Sequence, residues 1–486
     1  MNSIKYIPSS LLAAAVLAAC SSAPELNVAP PALPQTYREL QQQPHPSELS
    51  TTSVDWKLAE PAEAQPRGEW WKAFNDAELS RLIDQANATN TTVAAAKARV
   101  RQARALAGIA DAALLPAVGI GGGGQRGKAA PIPIGLPEGT AVPVSTVWQA
   151  GLTASYEVDL FGRVGANNDA AHADATASEA SYRSVLLSLQ ADVAQTYFRL
   201  RASKAEQNLL NETLHLRQEN VDINQHRFDL GDLGELDLAR AKTELSTTRS
   251  EAIGVQRQTA QLEHALAVLV GQPQAKFDNV QALLDVNSLP HIPAGLPSLL
   301  LQRRPDIAAA QQTVIAANAR IGVARSAMFP ALMLTAGDGG MSHHLSDVLM
   351  QSNQNWLIGA LLSMPLFDGG RNRNNITRNE ALLEESVANY HHQVLTAFSE
   401  VEDNLVGLRV LEGQAQSIDE ALVHAHRSTD LAGKLYQEGS SSYLDLLDAE
   451  RNLTTIERNA VQLRANRATA TVALIRAIGG DWSANR

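Results

Sequence analysis

Strict alternation of apolar and polar residues runs through Trp148-Gln149-Ala150-Gly151-Leu152-Thr153-Ala154-Ser155-Tyr156-Glu157-Val158-Asp159-Leu160. Every even-numbered residue is apolar, and every odd-numbered residue is polar or glycine. A period of two residues is typical of a β-strand with one apolar face. A tilted membrane strand needs only about 9–11 residues. The pattern therefore predicts a strand at 147–161 with the length and character of a membrane strand.

Three further strands are predicted around this one. A similar alternation, with a less polar odd face, predicts a strand at 353–367, and shorter apolar stretches predict strands at 115–125 and 329–338. A soluble β-sandwich would show the same alternation. The aromatic residues near the strand ends favour a membrane barrel instead.

Four strands are too few to close a barrel, because about eight is the smallest number that does so. An open sheet edge in lipid would leave backbone N–H and C=O groups without partners. If these strands enter the membrane, several copies of the chain must share one barrel.

Long helices are predicted wherever proline is absent, since proline breaks helix interiors. These helices lie at 166–229, 234–270, 371–435 and 442–478, and the longer two would each extend for about 95 Å. Core-type residues at steps of three and four, such as Ala241, Leu245 and Thr248, form a coiled-coil seam. The many small seam residues favour helices packed in an array, although an isolated coiled-coil dimer would show the same period.

The pattern of two strands, a long helix and a shorter helix occurs twice, at 67–270 and 305–480. The two copies are joined by a connector at 271–304, and a tail follows at 481–486. The clearest local match is Phe228-x-x-Gly231, which recurs as Tyr436-x-x-Gly439 at an offset of 208 residues. Glycine at both positions fits a chain reversal with positive φ between consecutive helices.

The N-terminus has the features of an exported lipoprotein. Residues 1–19 contain a short apolar core typical of a signal peptide, and they end in the lipobox pattern Leu17-Ala18-Ala19-Cys20. Cys20 is the only cysteine in the chain, so it has no disulfide partner and is predicted to carry the lipid. A buried cysteine beside an ordinary cleavage site is the alternative. Ser21 favours sorting to the outer membrane, and the proline-rich residues 20–66 are predicted to form an extended tether.

The remaining composition argues against other classes of function. Loss of Lys5 with the signal peptide would change the formal charge from −11 to −12, which disfavours a nucleic-acid partner. Gly119-x-Gly121-x-x-Gly124 matches a dinucleotide-binding pattern but lacks the βαβ context. The pairs His343-His344 and His391-His392 lack accompanying ligands. No nucleophile–base set is evident, so the sequence predicts no catalytic, cofactor-binding or metal site.

Four motifs together resemble the TolC-type outer membrane factors, and the lipobox resembles their lipoprotein (NodT-like) branch, which serves RND-type multidrug efflux. The resemblance covers nearly the whole chain. Its motifs are Glu69-Trp70-Trp71-Lys72-Ala73-Phe74-Asn75-Asp76, Tyr156-Glu157-Val158-Asp159-Leu160-Phe161-Gly162-Arg163, Gly295-Leu296-Pro297-Ser298 through Gln302-Arg303-Arg304-Pro305-Asp306-Ile307, and Tyr443-Leu444-Asp445-Leu446-Leu447-Asp448-Ala449.

This resemblance implies a mainly α-helical homotrimer with membrane β-structure. Four strands per protomer would form a shared twelve-stranded outer-membrane barrel, and the long helices would form a periplasmic α-helical tube. A mixed equatorial belt would surround the tube. The channel would join an inner-membrane RND-type pump through a periplasmic adaptor protein.

The resemblance also implies a gate at the periplasmic end of the tube. The acidic rings of the family fall on Asp445 and Asp448, its apolar constriction on Leu444, and a basic residue on Arg451. Six carboxylates around a narrow pore would favour cations.

Tyr436 and Asp237 match residues in the links that keep this end closed. Ser441 stands where TolC has an arginine that contributes to these links. The lock would therefore be either weaker in this chain or built differently, with Arg240 or Arg451 in place of that arginine. Asp445 and Asp237 also lie where an acidic side chain caps a helix without any gating role.

Three functions fit this pattern. The first is an outer-membrane duct for efflux of small molecules. The second is the duct of a type I protein secretion system with the same fold. The third is a lipid-anchored periplasmic coiled-coil scaffold without a pore. The lipobox and the Arg303-Arg304-Pro305-Asp306 motif favour the first, and the alternation at 148–160 argues against the third.

Overall fold

A computed structural model describes residues 23–26, 31, 34, 37–38, 68–128, 130, 135, 137–273, 289–290 and 303–480. The predicted signal peptide, the lipidation site Cys20, most of the tether and connector, and the tail at 481–486 lie outside these residues.

The described elements alternate in the order that the sequence repeat predicts. After a 3₁₀ turn at Trp70–Phe74 come α1 (Ala77–Thr89), α2 (Thr91–Ala112), β1 (Ala117–Gly127), β2 (Ser145–Val158), α3 (Arg163–Asp229) and α4 (Glu235–Leu269). The second half contains α5 (Pro305–Ser326), β3 (Ala331–Ser342), β4 (Gln354–Ser363), α6 (Arg371–Gln437) and α7 (Tyr443–Ala477). The expected mainly helical fold with a small sheet is thereby confirmed. Within the part of the chain that the structure describes, no helix combines the length and apolar character of a membrane span.

The chain folds as two compact units. The first contains the sheet and the described residues of 99–178 and 309–390, together with 23–26. The second contains most of the long helices, in the described residues of 30–98, 179–308 and 391–480.

All four strands of the first unit form one antiparallel sheet in the order β1-β2-β3-β4. Ile120 lies opposite Leu152, and Ala336 lies opposite both Ala154 and Ile358. Directly opposite residues point to the same side of a sheet, so the even-numbered residues build one mostly apolar face. The opposite face carries Gln149, Thr153, Thr335 and many glycines.

Two strands end earlier than the sequence predicts. β2 ends at Val158 rather than 161, because the N–H of Leu160 donates to the carbonyl of Val158 (2.9 Å) and turns the chain. β4 ends at Ser363 rather than 367, because its partner β3 begins at Ala331, opposite Ser363. Strand length therefore depends on where the neighbouring strand begins.

The second unit places two of the resemblance motifs in partly buried networks. Asp76 caps α1 by accepting from the N–H of Leu79 (3.0 Å), and it also accepts from the Tyr197 hydroxyl and the Arg201 guanidinium, each at 2.8 Å. In the other repeat, the buried Arg304 forms a two-point ion pair with Asp306 (2.6 and 3.0 Å). Both motifs thus fix helix ends within this unit.

Candidate functional site

The predicted gate residues lie beside two equivalent helix turns of the second unit. After α3, Gly231 has φ 85°, and its N–H donates to the carbonyl of Phe228 (2.9 Å). After α6, Gly439 has φ 74°, and its N–H donates to the carbonyl of Tyr436 (3.1 Å). Positive φ is the conformation that glycine adopts without strain, so both turns need this residue.

Asp445 caps the start of α7. Its carboxylate accepts from the N–H of Ser442 (3.0 Å) and from the Ser442 hydroxyl (2.8 Å). The N–H of Asp445 is in turn 3.3 Å from the Ser442 hydroxyl oxygen, which completes a capping box. The hydrogen bonds from the Ser442 side chain and backbone lower the pKa of Asp445. In a single chain, Asp445 therefore has a structural role.

Asp448 and Leu444 differ from Asp445 in their surroundings. The Asp448 side chain is 63% exposed, and its carboxylate lies 3.5 Å from Arg451 one turn further along α7. Leu444 is also exposed. Both side chains are thus available at the surface of this turn, as residues lining a pore would be.

Tyr436 and Asp237 have separate partners. The Tyr436 hydroxyl accepts from Arg227 (2.8 Å) and donates to Asn224 (3.1 Å), both on α3. Asp237 instead pairs with Arg240 (3.1 Å) on its own helix, in the first turn of α4. The link of Tyr436 therefore joins α6 to α3, whereas the ion pair of Arg240 in the described part of the chain stays within α4.

Arg451 connects α7 to α4 through an ion pair with Glu244. The hydrogen bond from Arg451 lowers the pKa of Glu244, so the pair is charged at neutral pH. One heptad further along both helices, Arg458 pairs with Glu251 (2.8 Å). Two pairs with the same sequence separation show that α4 and α7 run in the same direction.

A second ion pair joins α7 to α3. Arg217 is buried, and its guanidinium contacts Glu450, which also accepts from Asn220 (3.4 Å). Burial raises the pKa of the neighbouring Tyr443 to about 12. Removing one member of such a pair leaves the other charge without compensation.

An apolar core supports these polar links. Val221, Ala241, Tyr443 and Leu447 are buried against one another, with Tyr436 packed beside them. The rings of Tyr436 and Tyr443 lie 5.8 Å apart. Helices α3, α4, α6 and α7 thus meet at one place, where we define the turn cluster as Arg217, Asn224, Arg227, Glu244, Tyr436, Glu450 and Arg451.

Five members of the turn cluster are absent from the predicted set: Arg217, Asn224, Arg227, Glu244 and Glu450. Each pairs with a residue far away in sequence, so no local motif reveals it. One signal was available for Glu244, since Glu244 and Arg451 recur as Glu251 and Arg458 at the same spacing.

The two acidic residues should respond differently to substitution. We expect Asp445→Ala to lower the urea midpoint of unfolding, because α7 loses its capping box. Asp448→Ala should leave the midpoint nearly unchanged, because its carboxylate is mostly exposed. Equal shifts for the two variants, measured by circular dichroism, would contradict the structural role of Asp445.

Comparison with known proteins places this site in context. A family model described as outer membrane efflux protein matches residues 82–272 and 296–480. The cation efflux system protein CusC of Escherichia coli is 31% identical over 487 residues, covering 99% of this chain and all of CusC. The toluene efflux pump outer membrane protein TtgC of Pseudomonas putida is 32% identical, covering 98% of this chain and 96% of TtgC.

A solved structure has the same fold. The Campylobacter jejuni CmeC outer membrane channel superposes with a TM-score of 0.83 at 26% identity, covering 95% of each chain.

Proposed function

This chain belongs to the outer membrane efflux protein family, and we propose on that premise that three copies form one channel. The family assignment made from the sequence motifs is confirmed, as are the outer-membrane location and the role as an efflux channel. Under the proposal, the three sheets close into a twelve-stranded barrel and the long helices form a periplasmic tube.

The four-stranded sheet is the observation that supports this proposal most strongly. It has one apolar face, and the outer edges of β1 and β4 have no strand partner among the described residues. Exposed apolar residues cover this face, including Ile120 (85%), Trp356 (76%) and Ile358 (75%). In lipid such a face is stable, but the open edges are not unless other copies pair with them.

We propose that the channel conducts small molecules without chemistry or cofactor, supplied by an inner-membrane pump through a periplasmic adaptor. A cation efflux protein and a toluene efflux protein are almost equally similar to this chain, at 31% and 32% identity. Overall sequence identity therefore does not indicate which compound a channel of this family conducts. We expect the inner-membrane pump to select the transported compound.

A deletion strain tests the assignment directly. We expect increased susceptibility to a group of antibiotics, dyes, organic acids or metals, with protein secretion unchanged. Unchanged susceptibility together with a missing secreted protein would instead indicate the second function, the duct of a type I secretion system. A purified protein that forms only dimers and conducts no ions in planar bilayers would instead support the third function, a lipid-anchored scaffold that has no pore.

We propose that the turn cluster controls the periplasmic opening of the channel. Leu444, Asp445 and Asp448 would line the constriction, with Asp237 at the adjoining turn. Arg451 and Tyr436 would keep α7 and α6 against α4 and α3. Supporting this role, both residues join helices that must separate if the turns move apart.

We also propose that Cys20 carries the lipid anchor. Cys20→Ala should abolish incorporation of labelled palmitate and release the mature chain from lipid anchoring. Each methylene of an acyl chain that is buried in the membrane contributes about 0.8 kcal/mol to the free energy of membrane binding. Ser21→Ala is the matched control and should label normally. Undiminished labelling of the Cys20→Ala variant would show that another residue is acylated.

A further inference from the structure

The edges of the sheet are the strongest unexplained feature of the first unit. β1 and β4 are its outer strands, and neither outer edge has a strand partner in the described part of the chain. Unpaired edges expose backbone donors and acceptors that another strand can use. The proposed trimer implies that β4 of one copy meets β1 of the next, but it does not state which residues lie opposite one another.

Strand β2 provides a comparison inside the same chain. Its residues 156–158 extend beyond the last partner in β1, Ala117 opposite Ser155, and among the described residues they pair with β3 alone. The equivalent segment after β4, residues 364–366, has no neighbouring strand among the residues that the structure describes. Its side chains Met364 and Leu366 are 51% and 91% exposed. Within the described part of the chain, no strand pairs with this segment.

The internal repeat fixes the correspondence between β2 and β4. The long helices start at Arg163 and Arg371 and end at Asp229 and Gln437, so both ends differ by 208 residues. The same offset relates Trp148 of β2 to Trp356 of β4.

The strand pairing then fixes the correspondence between β1 and β3. Ser155 maps to Ser363 at the offset of 208, so its partner Ala117 maps to Ala331, the partner of Ser363. This offset of 214 residues also aligns Pro116 with Pro330. Strand pairing and sequence therefore agree on a single alignment of the two repeats.

We propose that β4 of one copy pairs with β1 of the next in the register that β2 has with β3. The two offsets convert each observed pair between β2 and β3 into an expected pair between β4 and β1. Ser155 opposite Thr335 corresponds to Ser363 opposite Gly121, and Tyr156 opposite Leu334 corresponds to Met364 opposite Ile120. This seam rests on the proposed trimer and specifies it.

The side chains brought together by this register are complementary. Val158 opposite Leu332 becomes Leu366 opposite Val118, so two side chains that are 91% and 72% exposed cover each other. At the other end, Trp148 opposite Ser342 becomes Trp356 opposite Lys128, an aromatic ring against an ammonium group. In this register β4 has a partner strand as far as Leu366, just as pairing with β3 continues β2 as far as Val158.

Disulfide trapping in native outer membranes tests the register. Opposite residues have Cα atoms about 4.5–5.5 Å apart and diagonal ones about 7–8 Å apart, while a disulfide requires about 4.4–6.8 Å. Ser363→Cys is therefore combined with Gly121→Cys, and in matched controls with Gly119→Cys or Gly123→Cys. All three glycines lie on the same face as Ser363, and an added Cβ meets no atom closer than 3.5 Å at any of them.

The expected result is a shift of the Gly121→Cys and Ser363→Cys protein from the monomer band to dimer and covalent trimer bands under oxidation, reversed by reductant. The two control pairs and Ser363→Cys alone should stay in the monomer band, which also excludes bonds to Cys20. A stronger shift in either control pair would overturn the register and leave the trimer intact.

The two proposals can also fail separately. Absence of cross-links from all three pairs, in protein that native mass spectrometry finds to be trimeric, would overturn the seam alone. A monomeric protein would overturn the seam and the proposed trimer together.

Discussion

Arg451→Ala is expected to increase the open fraction of the channel in planar bilayers about fivefold. The substitution removes the ion pair with Glu244, which joins α7 to α4. Because the Arg451 side chain is 49% exposed, the pair contributes about 1 kcal/mol, and 1.4 kcal/mol corresponds to a tenfold change in an equilibrium. Tyr436→Phe should add to this effect, because it removes the hydrogen bonds to Arg227 and Asn224.

A double-mutant cycle separates gating from general damage to the fold. Glu244→Gln should open the channel about as much as Arg451→Ala, and the double variant should open it little further. Arg427→Ala is the matched control, because Arg427 is 65% exposed and its ion pair among the described residues lies within its own helix, with Asp430 (2.9 Å). Fully additive effects of Glu244→Gln and Arg451→Ala would contradict a direct link.

Acidification should weaken the same link, with a defined sign. Arg451 lowers the pKa of Glu244 in the folded chain, so the stabilisation is complete above the unfolded pKa of about 4.3. It is lost as the pH falls through the folded value. The open fraction of the wild-type channel should therefore rise only in strongly acidic solution, and the rise should be absent from Arg451→Ala.

The strands could be predicted from sequence because one physical constraint dominates them. Alternation from Trp148 to Leu160 sets which side chains face the apolar side, and β2 lies at Ser145–Val158. The end of β4 could not be predicted in this way. Its apolar residues continue to Leu366, but the strand ends at Ser363, where β3 no longer offers a partner.

The candidate site was predictable only in part, for a similar reason. The motif at 443–449 locates the start of α7, and the Ser442–Asp445 cap follows from local sequence. The partners of Tyr436 and Arg451 depend on the packing of α3 and α4 against them. A motif search cannot provide that packing, although the repeated spacing of Glu244 with Arg451 and Glu251 with Arg458 encodes part of it.

Arg304→Ala is expected to destabilise the second unit by about 3 kcal/mol, toward the lower end of values for breaking a buried ion pair. Arg304 is buried, and it donates to Asp306 (2.6 Å), to Glu400 (2.5 Å) and to the carbonyl of Ala477 at the end of α7 (3.0 Å). Burial alone would raise the pKa of Asp306, but the hydrogen bonds and charge of Arg304 outweigh it and lower the pKa. Without Arg304, that partly buried carboxylate loses its compensating charge.

The effect should appear as a lower urea midpoint with an unchanged slope, because the surface exposed on unfolding stays the same. Arg304→Lys should recover only part of the loss, since an ammonium group cannot form the two-point contact with Asp306. Arg427→Ala again serves as the exposed control and should change stability by less than about 0.5 kcal/mol. If Arg304→Ala unfolded at the wild-type midpoint, this result would contradict the conclusion that the Arg303-Arg304-Pro305-Asp306 motif stabilises the packing of α5, α6 and α7.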